Sequence, residues 1–516
     1  MKLFNLDCWI AYKTSSHLMS LQAITGIGFD KEAAVALLER INVEMDKIVA
    51  EVEPQLPPRP MNKGEIEWWL LPAKPWNKDG THSALMHKWC ETRGGTLVGD
   101  REVMVDSVVY PLSSKGQTKT HTTMHLANQK DLKEWLLESG WIPTLWNFKR
   151  DAKGKPERDQ DGNIVTTTPK MQEQGKLCPN LEQMQGELIK PVVKWLSYRN
   201  RRSVVEGWLE NERLAYDGRL SASAPLIAST FRQKHSVVVN VPKAEAGILL
   251  GEEMRSLFIA KREGYKFVGY DASALEARIE GHYASRYEGG KEYANELING
   301  DIHLKTAATV FAQYVGHIVG TDEYTKNNPI VKPWRDRSKN IKYGISYGAQ
   351  PPKIASMLSV PLGEGKSIYN AFWESAKPLA LFKEKLTEYW ETTGGKQYVL
   401  GIDGRKIRTR SKHSLVNAVF QSCGAIVMDY SGLFMDKWLG GIGLDSDGYP
   451  CYHYKGHRIY RVSYHHDEFG WEVPEALAEG FVTLGNRSII KAGEHLKLRV
   501  PLDAAGKVGD NWKDVH

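Results

Sequence analysis

Cysteine is scarce in this sequence, and long apolar runs are absent. The 516 residues include five cysteines, an odd number without a CxxC pair, which argues against a disulfide framework and for a reducing compartment. No uninterrupted apolar stretch approaches the roughly 18 residues of a membrane span, and Met1 to Ser20 contains no apolar signal-peptide core. We therefore expect an intracellular protein without a membrane partner.

An excess of one charge is also lacking. The chain has 68 basic and 62 acidic residues, a net charge of +6, which permits a polyanionic partner without requiring one. With 41% hydrophobic and 25% charged residues, the composition excludes the disordered classes and is typical of globular proteins. The length allows several subdomains around a large core.

Apolar periodicity predicts helices in the N-terminal part of the chain. After Asp30, a suitable N-cap, apolar residues recur every three or four positions until Pro54. Similar patterns at 129–139 and 181–215 predict further helices, and Pro191 marks a break or kink in the second of them. From 266 onward, short strand patterns alternate with helical ones.

Two stretches interrupt this helical part. Residues 55–122 contain several turn signals and four tryptophans, Trp68, Trp69, Trp76 and Trp89, which predicts an inserted, loop-rich element. These tryptophans suit either a protein interface or a small core belonging to the insertion itself. Residues 150–163 are charged and rich in turn formers, and they are interpreted as a linker.

Two carboxylates almost two hundred residues apart each follow a strand-like run. KFVGYD ends at Asp271, and HHDE at 465–468 presents Asp467 and Glu468 at the tip of a predicted hairpin. Aspartates from different strands can hold two divalent cations roughly 3.5–4 Å apart and promote an in-line phosphoryl displacement. Their oxygens suit magnesium. The alternative is that Asp271 caps the following helix and Asp467 is a turn residue.

A helix with functional side chains on one face is predicted between the carboxylates, over 335–349. Four residues spaced by four span about a third of its circumference: Arg335, Lys339, Tyr343 and Tyr347. The cations would meet the β- and γ-phosphates of a nucleoside triphosphate, and the tyrosines its sugar and base. Gly344 and Gly348 would let a ligand approach closely. A solvated stripe of basic residues is the alternative.

These segments resemble the three polymerase motifs of family A DNA polymerases, closest to the replicative polymerases of thioredoxin-dependent bacteriophages. NGDIH at 299–303, GIDGRKIRTRSKHSLVNAVFQSCGA at 401–425 and the terminal GDNWKDVH extend the likeness from roughly residue 25 to the end. The resemblance implies an α+β fold of mixed helix and sheet, shaped as a right hand with palm, fingers and thumb. It also implies a location in the cytoplasm of the host cell.

The resemblance divides the chain into five stretches. They are a lead segment (1–24), thumb-like helices with the insertion (25–215), the first part of the palm (216–302), fingers with adjoining helices (303–430) and the second part of the palm (431–516).

Site roles are implied residue by residue. The metal ligands for two Mg²⁺ would be Asp271, the backbone carbonyl of Ala272, and Asp467, with Glu468 assisting nearby; the catalytic group would be Asp271, Asp467, Glu468, Lys339 and Arg335. The incoming nucleotide would contact Ala272, Glu276, His303, Arg335, Lys339, Tyr343 and Tyr347.

Glu276 matches the position that closes off the sugar 2′ position, which implies a preference for deoxyribonucleotides. Tyr343 matches the ribose contact, where tyrosine is associated with accepting dideoxynucleotides. Residues near the primer end and minor groove would be Arg232, Arg278, Asn417, Gln421 and His466.

The sequence departs from the family pattern in several places. The family has TGR where this chain has TFR at 230–232, so Phe231 replaces a glycine beside Arg232. The connection at 312–334 is longer than expected. Phage relatives carry an N-terminal proofreading exonuclease, yet only about 24 residues precede the first predicted polymerase helix. We expect no 3′–5′ exonuclease activity in this chain, either through truncation or because a separate polypeptide supplies it.

The sequence thus predicts a DNA polymerase that extends a primer 3′-hydroxyl on template DNA with dNTPs. Residues 55–122 lie where the phage relatives carry a processivity loop, so a thioredoxin-like factor is one partner to expect there. Two alternatives remain: a single-subunit RNA polymerase, against which Glu276 and HHDE argue, and a catalytically inactive DNA-binding replisome protein.

Overall fold

The computed structural model describes residues 6–516 except 153, 160–163, 174, 246, 359 and 410. Parts of the predicted lead segment and of the 150–163 linker lie outside the described residues.

Helices account for most of the regular structure. The α-helices of the described chain are α1 (Leu6–Thr25), α2 (Lys31–Val52), α3 (Lys63–Trp69), α4 (Ala84–Arg93), α5 (Gln129–Glu138), α6 (Pro179–Glu182), α7 (Ile189–Leu209), α8 (Glu212–Asp217), α9 (Gly251–Ser256), α10 (Leu275–Ala284), α11 (Gly290–Asn299), α12 (Ile302–Val310), α13 (Ala312–Val315), α14 (Lys332–Ser346), α15 (Pro351–Leu358), α16 (Leu362–Ser375), α17 (Lys377–Glu391), α18 (Leu415–Trp438) and α19 (Glu475–His495). Two 3₁₀ turns lie at Glu53–Gln55 and Lys412–Ser414.

Most strands are short. They are β1 (Ile27–Phe29), β2 (Arg59–Pro60), β3 (Thr96–Val98), β4 (Glu102–Val105), β5 (Val108–Pro111), β6 (His121–Thr122), β7 (Trp146–Phe148), β8 (Thr166–Pro169), β9 (Gln172–Glu173), β10 (Lys176–Leu177), β11 (Arg219–Leu220), β12 (Leu226–Ile227), β13 (Gln233–Lys234), β14 (Phe258–Ile259), β15 (Tyr265–Ala272), β16 (Tyr398–Leu400), β17 (Lys406–Arg408), β18 (Gly443–Leu444), β19 (Pro450–Tyr454), β20 (His457–His465), β21 (Glu468–Pro474) and β22 (Ala504–Gly509).

Two compact units divide the chain. One combines Met1–Leu38 with Ser203–His516, and the other is Glu39–Arg202. The larger unit contains a six-stranded sheet in the order β18-β19-β20-β21-β15-β22, whose neighbouring strands pair antiparallel. All predicted site residues belong to this unit.

The central sheet is packed closely against helices. Every residue of β21 is buried, and so are Val268 and Tyr270 of β15. At Gly485 in α19, an added Cβ would lie 2.4 Å from the ring of Tyr270, so glycine is required for helix and strand to approach this closely. This packing fixes β15, and with it the position of Asp271.

Helix α1 was not predicted from the sequence. Its residues Ala11, Leu18 and Met19 are buried in the same hydrophobic core as the central sheet. Gln22 of α1 donates to the carbonyl of Ala222 at 2.8 Å and accepts from Arg461 of β20 at 2.9 Å. The predicted lead segment is therefore an integral part of the larger unit.

The unit Glu39–Arg202 has a small core of its own. Leu71, Met86, Trp89, Val103, Val105 and Leu112 are buried together, and Trp69 and Trp76 pack against them. The predicted loop-rich element at 55–122 thus contains short helices and the three-stranded sheet β3-β4-β5. Trp68 differs from the other tryptophans, since it is 55% exposed and lies 4.2 Å from the guanidinium of Arg93.

The N-terminal helix predictions are largely confirmed. The Asp30 side chain accepts from the amide of Ala33 at 2.9 Å at the start of α2, and α5 lies where it was predicted. The predicted helix at 181–215 is wrong in its extent, because α7 begins at Ile189 and a separate helix follows it. Pro191 lies in the first turn of α7, where its missing amide hydrogen has no intrahelical role. No helix of the described chain is long and apolar enough to span a membrane.

Candidate active site

Asp271 lies at the end of β15, and Asp467 lies in the turn just before β21, the neighbour of β15 in the central sheet. Asp271 pairs with Glu468 in the register of β15 and β21, and the amide of Ala272 donates to the carbonyl of Asp467 at 3.1 Å. Helix α10 begins after Ala274 without a side-chain cap, so the alternative that Asp271 caps this helix is wrong. The two aspartates and Glu468 form what we call the carboxylate edge.

Burial dominates the electrostatics of this edge. It raises the pKa of Asp271, and the neighbouring charges of Asp467 and Glu468 raise it further. Burial also raises the pKa of Asp467, although Arg232 opposes this effect. Two half-buried carboxylates with raised pKa values are a common feature of functional sites, because their ionised forms need a compensating cation.

Glu468 is supported differently from the two aspartates. Trp512 donates its indole N–H to Oε1 at 2.6 Å, and Nδ1 of His516 lies 3.5 Å from Oε2. Burial opposes ionisation of Glu468, but the hydrogen bonds from His516 and Trp512 lower its pKa overall. Trp512 and His516 are supporting residues that the sequence reasoning missed; their only signal was the resemblance of the terminal GDNWKDVH segment.

The donor set of the carboxylate edge fits magnesium. Its side-chain donors are carboxylate oxygens, which hard divalent cations prefer. Within the described residues, no group of three or more His, Cys, Asp or Glu side chains is arranged to hold a metal ion. Asp271 and Asp467 would therefore share any Mg²⁺ with the Ala272 carbonyl, with water and with phosphate oxygens of a substrate, which is how Mg²⁺ is commonly bound.

The predicted cationic helix is α14, which begins and ends three residues earlier than predicted, at Lys332 and Ser346. It ends at Ser346, so Tyr347 is its C-cap. Lys339, Tyr343 and Tyr347 are exposed and Arg335 is partly exposed, which agrees with one accessible face. Gly348 has a φ of +92°, and an added Cβ would lie too close to the carbonyl of His413, so the local backbone requires glycine here.

Contacts with α12 hold the N-terminal half of α14. Arg335 donates through Nε to Asp301 Oδ2 at 2.7 Å, and Ser338 donates to the carbonyl of His303 at 2.5 Å. Burial lowers the pKa of His303 to about 4, with Lys342 as the next contributor, so this imidazole is neutral at physiological pH. Its Nδ1 is buried without a hydrogen-bond partner in the described structure.

A cavity of about 210 Å³ lies between α10, α14 and α18. Its lining includes Glu276, Glu280, His303, Lys342, Tyr343 and Tyr347. Tyr347 donates its hydroxyl to Glu276 Oε1 at 2.8 Å, and Gln421 donates to the same oxygen at 2.9 Å. Burial and the charge of Glu276 raise the pKa of the Tyr347 phenol, so the hydroxyl remains a donor. Residues assigned to sugar, base and minor groove are thereby brought together.

Arg232 lies beside the same cavity, 4.0 Å from Glu276. The preceding residue, Phe231, has a φ of +66°, a left-handed conformation that bulky residues rarely adopt. Its ring lies 6.0 Å from that of Tyr12 in α1 and 4.8 Å from the guanidinium of Arg405. The glycine of the family motif is therefore replaced by Phe231, whose ring packs against Tyr12 and Arg405.

The remaining predicted DNA contacts have varied surroundings. Arg278 donates to the carbonyls of Ser273 at 2.9 Å and Pro501 at 2.6 Å, so in this structure it ties α10 to the C-terminal segment. Asn417 lines the cavity, and its Oδ1 is buried without a partner in the described structure. His466 has a φ of +59° at the hairpin tip, and burial lowers its pKa to about 4.

Similarity to known proteins agrees with this geometry. The structure resembles the POL domain of Pol1 from M. smegmatis, solved in complex with DNA primer-template and dNTP, with a TM-score of 0.62, 16% sequence identity, and coverage of 98% of this chain and 70% of that one. The fold is thus the α+β right-hand fold of a polymerase domain, as the sequence predicted. A match to DNA polymerase family A covers residues 118–514, and the chain belongs to this family.

Curated relatives include phage and bacterial enzymes. The chain is 28% identical to the DNA-directed DNA polymerase of Enterobacteria phage T3 and 27% identical to that of Escherichia phage T7, each over 426 residues, covering 77% of this chain. It is 25% identical to DNA polymerase I of Pseudomonas aeruginosa over 81% of the chain and 41% of that protein. The chain spans about half the length, 53%, of the two phage relatives.

Proposed function

We propose that this chain is a template-directed DNA polymerase of the phage replicative type. It would extend a primer 3′-hydroxyl with deoxynucleoside triphosphates. The observation that carries the proposal is the adjacency of Asp271 and Asp467, joined through the 3.1 Å hydrogen bond between Ala272 and Asp467, in a chain that belongs to DNA polymerase family A.

Each group of residues would perform one part of the reaction. Lys339 and Arg335 would offset charge on the triphosphate, while neutral His303 would contribute hydrogen bonding. Glu276 would occupy the space that a ribose 2′-hydroxyl needs, and Tyr343 would face the sugar. When bound at Asp271, Ala272 and Asp467, two Mg²⁺ would lower the pKa of the primer hydroxyl and stabilise negative charge on phosphate oxygens.

Contacts with the primer-template would come from a second group of residues. Tyr347 would pack beneath the templating pair, and Arg232, Arg278, Asn417, Gln421 and His466 would face the primer end and minor groove. Minor-groove acceptors are common to all correct base pairs, so such contacts check shape without reading sequence. In this arrangement, 25–215 would serve as thumb, 216–302 with 431–516 as palm, and 303–430 as fingers.

Primer extension tests the proposal. A labelled primer on a DNA template should be extended with dNTPs and Mg²⁺, and much less with rNTPs. Chelation of the metal should abolish extension. Efficient rNTP incorporation would favour an RNA polymerase, and no extension with DNA binding intact would favour an inactive replisome protein.

The same assay addresses proofreading. We propose that this chain does not shorten a mismatched primer, because the carboxylates assigned above, Asp271, Asp467 and Glu468, belong to the polymerase site. Metal-dependent trimming that survives Asp467→Ala would contradict this, whereas trimming that appears only after a second polypeptide is added would support a separate exonuclease.

A thioredoxin-like processivity factor at 55–122 is a second proposal about partners. Trp69, Trp76 and Trp89 serve the small core, which leaves Trp68 and Arg93 as the anchor available to a partner. Host thioredoxin should then increase product length, and Trp68→Ala should remove that increase while basal extension persists. Absence of both binding and longer products would dismiss the factor.

A further inference from the structure

A buried ion pair joins α14 to α10 beside the cavity. Lys342 Nζ lies 2.6 Å from Glu280 Oε2, and both side chains are 5% exposed. Tyr293 of α11 donates its hydroxyl to the other carboxylate oxygen of Glu280 at 2.5 Å. Each oxygen of this buried carboxylate therefore has a polar partner from a different helix.

Stability alone does not account for this pair. Removing two charges from water is costly, and well-packed apolar side chains of similar volume often stabilise a core equally well or better. Ile279 and Ile341, which directly precede Glu280 and Lys342 in the chain, are fully buried in the main core. A charged, directional contact at this place suggests that the position of α14 relative to α10 must be fixed.

The position of the pair indicates what geometry it controls. Lys342 follows Arg335 by seven residues, two turns of α14, so both belong to one sector of the helix. Lys342 and Glu280 line the cavity together with Tyr343 and His303. The ammonium of Lys342 lies 5.8 Å from the Tyr343 ring.

The pair also complements the other attachments of α14. Arg335 and Ser338 fasten the N-terminal half of the helix to Asp301 and His303. Lys342 fastens the C-terminal half to α10, the helix that carries Glu276. Apolar packing alone permits small rotations and translations, whereas an ion pair with defined hydrogen bonds restricts them.

We propose that Lys342 and Glu280 are a positioning pair that sets α14 against α10, so that Tyr343 and His303 stand at the correct distance from Glu276 for the incoming nucleotide. The inference rests on the proposed function and deepens it, because it concerns nucleotide affinity at the same site. Neither residue is assigned a catalytic role. The lowered pKa of His303, to which Lys342 contributes after burial, agrees with this arrangement.

The decisive variant replaces both charges at once, Glu280→Leu with Lys342→Met. No buried charge is left unpaired, and only the Tyr293 hydroxyl loses its acceptor, so the Tm of the full chain should stay close to that of the parent. The KM for dNTP should rise about tenfold while kcat changes less than about threefold, since binding geometry is altered and the carboxylate edge is not. A KM within about twofold of the parent at preserved Tm would overturn the proposal.

Two further variants separate positioning from instability. Lys342→Met alone leaves Glu280 short of a partner and should lower both Tm and nucleotide affinity. Arg219→Met is its control away from the cavity, because the fully buried Glu472 then loses one of its two guanidinium partners and keeps Arg262. This control should lower Tm with little change in KM, and an equal rise in KM would overturn the proposal.

Tyr293→Phe provides a test if the double variant fails to fold. It removes one hydrogen bond to Glu280 and keeps the ring, so KM should rise about threefold with kcat unchanged. An unchanged KM would contradict the inference. Failure of the proposed function is distinguishable, because the parent chain would then show no extension in the same assay, and both proposals would be overturned.

Discussion

The carboxylate edge and the cationic face of α14 are formed by different means. Asp271 and Asp467 are placed by the pairing of strands distant in sequence, and burial raises the pKa of both. Lys339 and Tyr343 are placed by one turn of local helix and are exposed. The carboxylate edge holds carboxylates whose ionised forms are disfavoured, whereas the side chains on the α14 face are accessible to solvent.

This difference indicates that the two regions contribute to different steps of the proposed reaction. A half-buried carboxylate pair with raised pKa values favours a divalent cation, so its geometry must exist before a ligand arrives. Exposed cations gain most of their contacts only when a triphosphate binds. We therefore expect changes at the edge to reduce chemistry most and changes on the α14 face to reduce nucleotide binding as well.

The largest expected effect is that of Asp271→Asn. The amide keeps the size of the side chain but cannot supply the negative charge, so the rate of nucleotide incorporation should fall about 10³-fold, which is ~4 kcal/mol. Single-turnover extension measures this rate, and primer-template affinity should be retained. Asp510→Asn is the matched control, since this exposed carboxylate pairs with Lys266 away from the edge. Near-normal incorporation by Asp271→Asn would refute the assignment.

On the α14 face, Lys339→Ala should have the next largest effect. Loss of one triphosphate contact should lower kcat/KM about 10²-fold, with KM for dNTP increased. Arg337→Ala removes a cation from another side of the same helix, where it lies 4.7 Å from the Trp334 ring, and should leave kcat/KM within about threefold of the parent. Equal losses in the two variants would mean that only the net charge of the helix matters.

The two regions also explain what the sequence could predict. The α14 face follows from spacing within one helix, and both aspartates from strand ends, so local patterns and the family resemblance were sufficient. Helix α1 was missed because its packing partner, Arg461, is distant in sequence. The Lys342–Glu280 pair was missed because each residue alone looks like an ordinary exposed charge on a helix. Only the tertiary structure shows that both are buried.

Thermal stability in the absence of metal should also differ between variants of the carboxylate edge and variants of the α14 face, by a smaller amount. The raised pKa of Asp271 favours its protonated form in the folded protein, so its contribution to stability is present at low pH and is lost as pH rises through this pKa. Asp271→Asn, which has no charge to lose, should therefore have a Tm at or above the parent's at neutral pH without metal. Lys339→Ala should show no such pH-dependent difference. Thermal unfolding in chelator measures both.

Addition of Mg²⁺ completes this test. The cation should raise the Tm of the parent at neutral pH and have little effect on Asp271→Asn, because a ligand that binds only the folded state stabilises it. A lower Tm for Asp271→Asn without metal, or an equal Mg²⁺ response in both proteins, would contradict the view that the ionised forms of these carboxylates are disfavoured.

The smallest effect concerns the backbone that presents Arg232 to the carboxylate edge. Phe231 has a φ of +66°, so Phe231→Ala should be less stable than Phe231→Gly by ~1 kcal/mol, since only glycine adopts this conformation freely. Denaturant unfolding of the full chain measures the difference, and Ala371→Gly in α16 should show the opposite sign. If Phe231→Gly keeps its stability but loses primer-template affinity, the Tyr12 and Arg405 contacts of Phe231 serve to orient Arg232. The strained backbone at Phe231 would then serve to place Arg232, whereas the side chains of α14 are placed by regular helical backbone.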